Sequence, residues 1–76
     1  MLILFYTEQC PFCQKVLEKF KEKSIEYTGV ISEYGSASRN ILEKLGEKQQ
    51  IPFLIDTSEG KWMFESDDII EYANQK

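Results

Sequence analysis

Cys10-Pro11-Phe12-Cys13 stands between an apolar run, Leu2-Ile3-Leu4-Phe5-Tyr6, and a segment in which Cys13, Val16, Leu17 and Phe20 recur at i, i+3, i+4 and i+7. The first pattern is that of a short buried strand, the second that of a helix burying one face, and the motif marks their junction. Proline suits the first helical position, where its fixed φ helps and its missing N–H is not needed, so a helix over 11–23 is expected with Cys10 at or next to its N-cap. Cys13 opens the apolar stripe, whereas Cys10 lies outside it. Unpaired N–H groups and the positive end of the helix dipole then favour a thiolate at Cys10. Two intervening residues let a second thiol close a ring onto the first after a mixed disulfide has formed, which is dithiol exchange chemistry with Cys10 attacking and Cys13 resolving.

A chain of 76 residues is expected to form one domain, 1–76, with a modest core. Hydrophobic residues at 42% and charged residues at 29% are ordinary for a globular protein. No apolar run is long enough to span a bilayer and Met1 leads directly into the first strand, so a cytoplasmic location without membrane association is expected. A net charge of −4 with scattered Lys and Arg disfavours nucleic acid. Histidine is absent, which removes Cys-His and Ser-His catalysis and histidine-ligated metal sites, so the nucleophile must be activated by backbone and charge. A structural disulfide over so small a loop would restrict the unfolded chain little. Two cysteines acting only as small buried apolar residues, or as half of a metal site, are the alternatives to redox exchange.

Beyond the first helix, Ile25-Glu26-Tyr27-Thr28-Gly29-Val30-Ile31 has the β-branched character of a second strand, giving a βαβ unit for which a right-handed parallel crossover is expected. Ser36 is the expected N-cap of a helix with Ser38, Ile41, Leu42 and Leu45 on one face, ended by Gly46 as its C′ residue. The polar segment 47–50 and Ile51-Pro52 lead into a third strand, Phe53-Leu54-Ile55. A hairpin connection, 56–60, returns the chain as Lys61-Trp62-Met63-Phe64, antiparallel to it. Ser66 is the expected cap of a last helix, with Asp67 and Asp68 in its first turn and Ile69, Ile70 and Ala73 on its buried face. The expected class is α/β, a four-stranded mixed sheet in the order βαβ-α-ββα with three flanking helices.

This order, with Cys-x-x-Cys at the end of the first strand, resembles the thioredoxin fold, and within it the glutaredoxins. Cys10-Pro11-Phe12-Cys13 resembles that family's Cys-Pro-Tyr-Cys, Ile51-Pro52 its Thr-Val-Pro, and Ser66-Asp67-Asp68 its terminal Cys/Ser-Asp-Asp, over essentially the whole chain. The resemblance implies a cis Pro52 facing Cys10, with the backbone of Ile51 open to a bound peptide or glutathione. It implies that Ser66 and Asp67 hold the γ-glutamyl end of glutathione, that Lys48 meets the glycyl carboxylate, and that Pro11 and Phe12 border the substrate groove. Glutathione would be the reductant, and disulfide-containing or glutathionylated proteins the substrates of a monomer without a metal.

Three positions depart from the glutaredoxin pattern. Thr7-Glu8-Gln9 puts a negative charge where that family has Lys, and Gln50 replaces its Thr. Phe64-Glu65 replaces its Gly-Gly, so that Phe64-Glu65-Ser66-Asp67 resembles instead the N-terminal domain of a glutathione transferase, where the Glu-Ser pair also binds the γ-glutamyl group. The resulting expectation is a glutathione-dependent thiol-disulfide oxidoreductase. Its rivals are a glutaredoxin-like electron donor served by a flavoprotein reductase, and a glutathione-binding or iron-sulfur-carrying module without dithiol turnover.

Overall fold

Alternating apolar residues in the strands and i, i+3, i+4 stripes in the helices leave three apolar helix faces to be buried on the two sides of one sheet. The computed structural model describes residues 1–75. Its elements run β1 (Leu2–Tyr6), α1 (Pro11–Glu22), β2 (Thr28–Ile31), α2 (Ala37–Gly46), β3 (Phe53–Asp56), β4 (Lys61–Met63) and α3 (Ser66–Asn74). The sheet order is β2-β1-β3-β4, with β2 parallel to β1 and the other pairs antiparallel. This is the α/β thioredoxin-like architecture expected from the sequence.

Period-two alternation divides the core into two layers. Leu2, Leu4 and Leu54 face α1 and α3, where Val16, Phe20, Ile69 and Ala73 complete one cluster. Phe5 and Phe53 face the opposite side and form a second cluster with Leu42 and Phe64. Phe20, with no exposed surface, illustrates the scale: full burial of such a side chain is worth about 1.5–3 kcal/mol.

Several boundaries and orientations differ from the sequence reading, each for a local reason. Helix α1 stops at Glu22 rather than residue 23, because Ser24 takes φ 54° and the Ile25 N–H bonds back to the Phe20 carbonyl at 2.9 Å. Strand β2 therefore begins at Thr28, not Ile25; Ile25 is spent closing the helix and packing on the core. Ser36 does cap α2, accepting the Arg39 N–H, but the buried positions are Arg39 and Leu42. Ile41 and Leu45 stay 51% and 42% exposed, so the expected apolar face is turned partly to solvent. Gly46 is the last helical residue rather than C′, and Glu47 takes the left-handed conformation with φ 66°. A Cβ on Gly46 would overlap the Phe64 ring, so this glycine serves close packing. Strand β4 ends at Met63 because Phe64 turns into the core. The chain reverses at Glu65 with φ 70°, and Ser66 becomes the buried first residue of α3 rather than its cap.

Candidate functional site

Helix α1 begins at the motif, as its proline requires. Cys10 is its N-cap residue, and its Sγ accepts a hydrogen bond from the Cys13 N–H at 3.3 Å. Sulfur here does the work usually given to a Ser or Asp oxygen at an N-cap, and the donated N–H stabilises negative charge on it. Both cysteines are free thiols. Cys10 is partly exposed, whereas Cys13 has no exposed surface, in keeping with its place on the apolar stripe. Burial, reinforced by interaction with Cys10, pushes the Cys13 thiol up from 9.0 to about 12, so it is protonated at neutral pH.

Beside this turn lies an open groove of 420 Å³ lined by Phe12 and Lys15 of α1, the Gln50-Ile51-Pro52 segment, and Glu65, Ser66 and Asp67 at the start of α3. The Ile51-Pro52 peptide bond is cis, as the resemblance implies. Ile51 precedes β3 and lies outside the strand pairing, whose register with β1 begins at Phe53. Phe12 is 65% exposed, an aromatic face at the rim. Across the groove the Lys15 Nζ and Asp67 Oδ1 form an ion pair at 2.5 Å. The Gln50 Nε2 donates to Glu65 Oε1 at 3.2 Å. Glu65 makes no side-chain bond to cap α3, which leaves that helix's first-turn N–H groups to water or to an anion.

Six of the residues singled out in the sequence, Phe12, Ile51, Pro52, Glu65, Ser66 and Asp67, thus converge on one groove. Cys10 and Cys13 adjoin it through the first turn of α1. Two others do not line it: Pro11 is exposed at the first helical position, and Lys48 is directed elsewhere, its Nζ 4.7 Å from the Phe64 ring centroid. Lys15 and Gln50 were not assigned roles in the sequence reading. Lys15 follows Phe12 by three residues and so shares its helix face, which is the signal that places it. Glu8 is exposed, and its backbone carbonyl accepts the Gln14 amide at 2.6 Å. Among the described residues no group of three or more His, Cys, Asp or Glu is arranged to hold a metal ion. Among the described residues no helix is long and apolar enough to cross a membrane.

Residues 4–76 match the family model of the glutathione S-transferase N-terminal domain. The chain belongs to that family. Among solved structures, the chain superposes on glutathione transferase Omega 3C from Trametes versicolor with a TM-score of 0.84 at 24% identity, covering 97% of this chain and 32% of that one. It matches glutaredoxin 2 from Salmonella typhimurium, solved in complex with glutathione, with a TM-score of 0.84 at 22% identity, covering 97% and 33%. It also matches a glutathione S-transferase from Methylobacillus flagellatus with glutathione bound, with a TM-score of 0.83 at 24% identity, covering 100% and 37%. This glutathione S-transferase N-terminal domain family member spans about a third of the length of these proteins. Comparison with curated protein sequences finds no match.

Proposed function

We propose that this protein is a glutathione-dependent thiol-disulfide oxidoreductase acting on protein disulfides and glutathione mixed disulfides through Cys10 and Cys13. The observation that carries this reading is the pairing of an N-capping, partly exposed Cys10 with a buried Cys13 beside a groove that includes a helix N-terminus. Membership of the family and the glutathione found in two of the matched structures support glutathione as the ligand. Its γ-glutamyl carboxylate is suited to the first-turn N–H groups of α3 and its ammonium to Asp67. Lys48, over Phe64, is not proposed as a glutathione contact.

In the monothiol route the Cys10 thiolate attacks the glutathione sulfur of a mixed disulfide and expels the protein thiolate. A second glutathione thiolate then attacks the glutathione sulfur bound to Cys10, giving oxidised glutathione and regenerated Cys10. In the dithiol route Cys10 attacks a protein disulfide, and Cys13, after losing its proton, attacks the Cys10 sulfur. The product is the Cys10–Cys13 disulfide and a reduced protein; two glutathione molecules restore the dithiol. The proton that Cys13 must lose is held by burial and by Cys10. The smaller contribution, that of Cys10, is relieved once the Cys10 sulfur is bonded to substrate, which lowers the barrier to deprotonating the resolving thiol.

The test is turnover of each substrate by two variants. Cys10→Ser should abolish both activities, and Cys13→Ser should keep removal of glutathione from mixed disulfides while losing reduction of protein disulfides. Family membership favours one rival, a glutathione-binding domain in which Cys10 acts without a resolving partner. Equal activity of Cys13→Ser and the parent on both substrates would establish that rival. Support of turnover by a flavoprotein reductase, but not by glutathione, would establish the electron-donor reading.

A further inference from the structure

Arg39 is the one strongly basic side chain in the buried interior of the described residues, 7% exposed, and no carboxylate among those residues forms an ion pair with it. A buried guanidinium is costly unless its donors are met, and here two backbone carbonyls and an aromatic face meet them. Nε donates to the Ser32 carbonyl at 2.9 Å, Nη1 donates to the Gln49 carbonyl at 3.2 Å, and the Tyr34 ring centroid lies 4.6 Å from the guanidinium carbon.

The two carbonyls belong to two segments of the site. Ser32 donates its N–H to the Tyr6 carbonyl at 2.8 Å; Thr7 follows, and its carbonyl accepts the Cys10 N–H at 3.4 Å, at the turn that leads into the groove-lining Phe12. Gln49 is followed directly by Gln50, Ile51 and Pro52, which line the groove. We propose that Arg39 is a positioning residue whose rigid fork holds the Cys10 turn and the Gln49–Pro52 segment at a fixed separation, and so sets affinity for the ligand lying between them. The ligand part rests on the glutathione reading above; the brace itself does not. Lysine would keep the charge but lacks the planar fork that spans two carbonyls. The same positive charge opposes the rise of the Cys13 thiol, which is consistent with its lying under the motif.

The test compares the parent protein with Arg39→Lys in two measurements on the folded, reduced protein. One is binding of S-methylglutathione, which cannot undergo exchange; the other is backbone amide exchange at residues 10–14 and 49–53. Arg39→Lys should weaken binding about tenfold, and exchange should speed up in both segments together. A role in stability alone would lower the unfolding midpoint but leave affinity within about twofold and exchange in the two segments unequal, and that result overturns the proposal. If the parent does not bind S-methylglutathione, the glutathione reading fails, and joint loosening of the two segments alone decides on the brace. Should Arg39→Lys not fold, the same measurements are made on Arg39→Gln; failure of both to fold makes Arg39 a residue of core stability and overturns the positioning role.

Discussion

Raising the pH from 7 to 10 should weaken this fold through Cys13. The thiol is buried without exposed surface and held at about 12, against an ordinary 9.0. A group whose folded value is raised contributes stability that is present in full below the unfolded value and is lost as pH climbs toward the folded one. The window is therefore pH 9 to 12, with no contribution to a pH trend below about 8. Three pKa units correspond to about 4 kcal/mol at the upper end. At pH 10 the unfolded thiol is largely ionised and the folded one largely protonated, so the loss is about 1 kcal/mol. Against a total stability of about 4–11 kcal/mol for a chain of this length, that is measurable. Urea unfolding of the reduced protein, followed by the fluorescence of its single tryptophan, Trp62, at pH 7 and pH 10 provides the assay. The comparison is with Cys13→Ala, in which every other ionisable group remains. The parent's advantage over Cys13→Ala should shrink by about 1 kcal/mol between the two pH values. An advantage that does not change with pH would refute the view that burial keeps this thiol protonated, and with it the assignment of Cys13 as the silent resolving partner.

Asp67→Ala should lower kcat/KM for glutathione mixed disulfides roughly ten- to hundredfold, the loss of a charge-assisted hydrogen bond worth about 1.5–3 kcal/mol. Its effect on stability should stay below about 1 kcal/mol, because the Lys15–Asp67 pair is exposed; steady-state kinetics and urea unfolding separate the two. Lys48→Ala, at a residue that does not line the groove, should leave kcat/KM within about twofold of the parent. Gly46→Ala should destabilise the fold by about 1–3 kcal/mol, since its Cβ would overlap Phe64, with urea unfolding as the check.

What the sequence determined by itself is whatever depends on residues close together in the chain. The apolar run 2–6, the proline at the first helical position and the stripe from Cys13 to Phe20 are local, so β1, α1 and the different exposures of the two cysteines could be read directly. The same holds for the order of elements and hence the layering of the sheet. The Ile51-Pro52 and Ser66-Asp67 contributions came from family patterns that carry tertiary information in compressed form. Only the tertiary structure decided how α2 is rotated. Its apolar residues Ile41, Leu42 and Leu45 could not all face the sheet once Gly46 had to admit the Phe64 ring, so Arg39 turned inward and Ile41 and Leu45 outward. Helix periodicity ranks residues by hydrophobicity and is blind to a guanidinium that is welcome inside because two distant carbonyls await it. The Lys15–Asp67 pair joins residues 52 apart, and the reversal at Glu65 follows from Phe64 packing against Phe53 at 4.7 Å. Such contacts exist only when the sheet has brought the ends of α1, α2 and α3 into place, and no spacing along the chain encodes them.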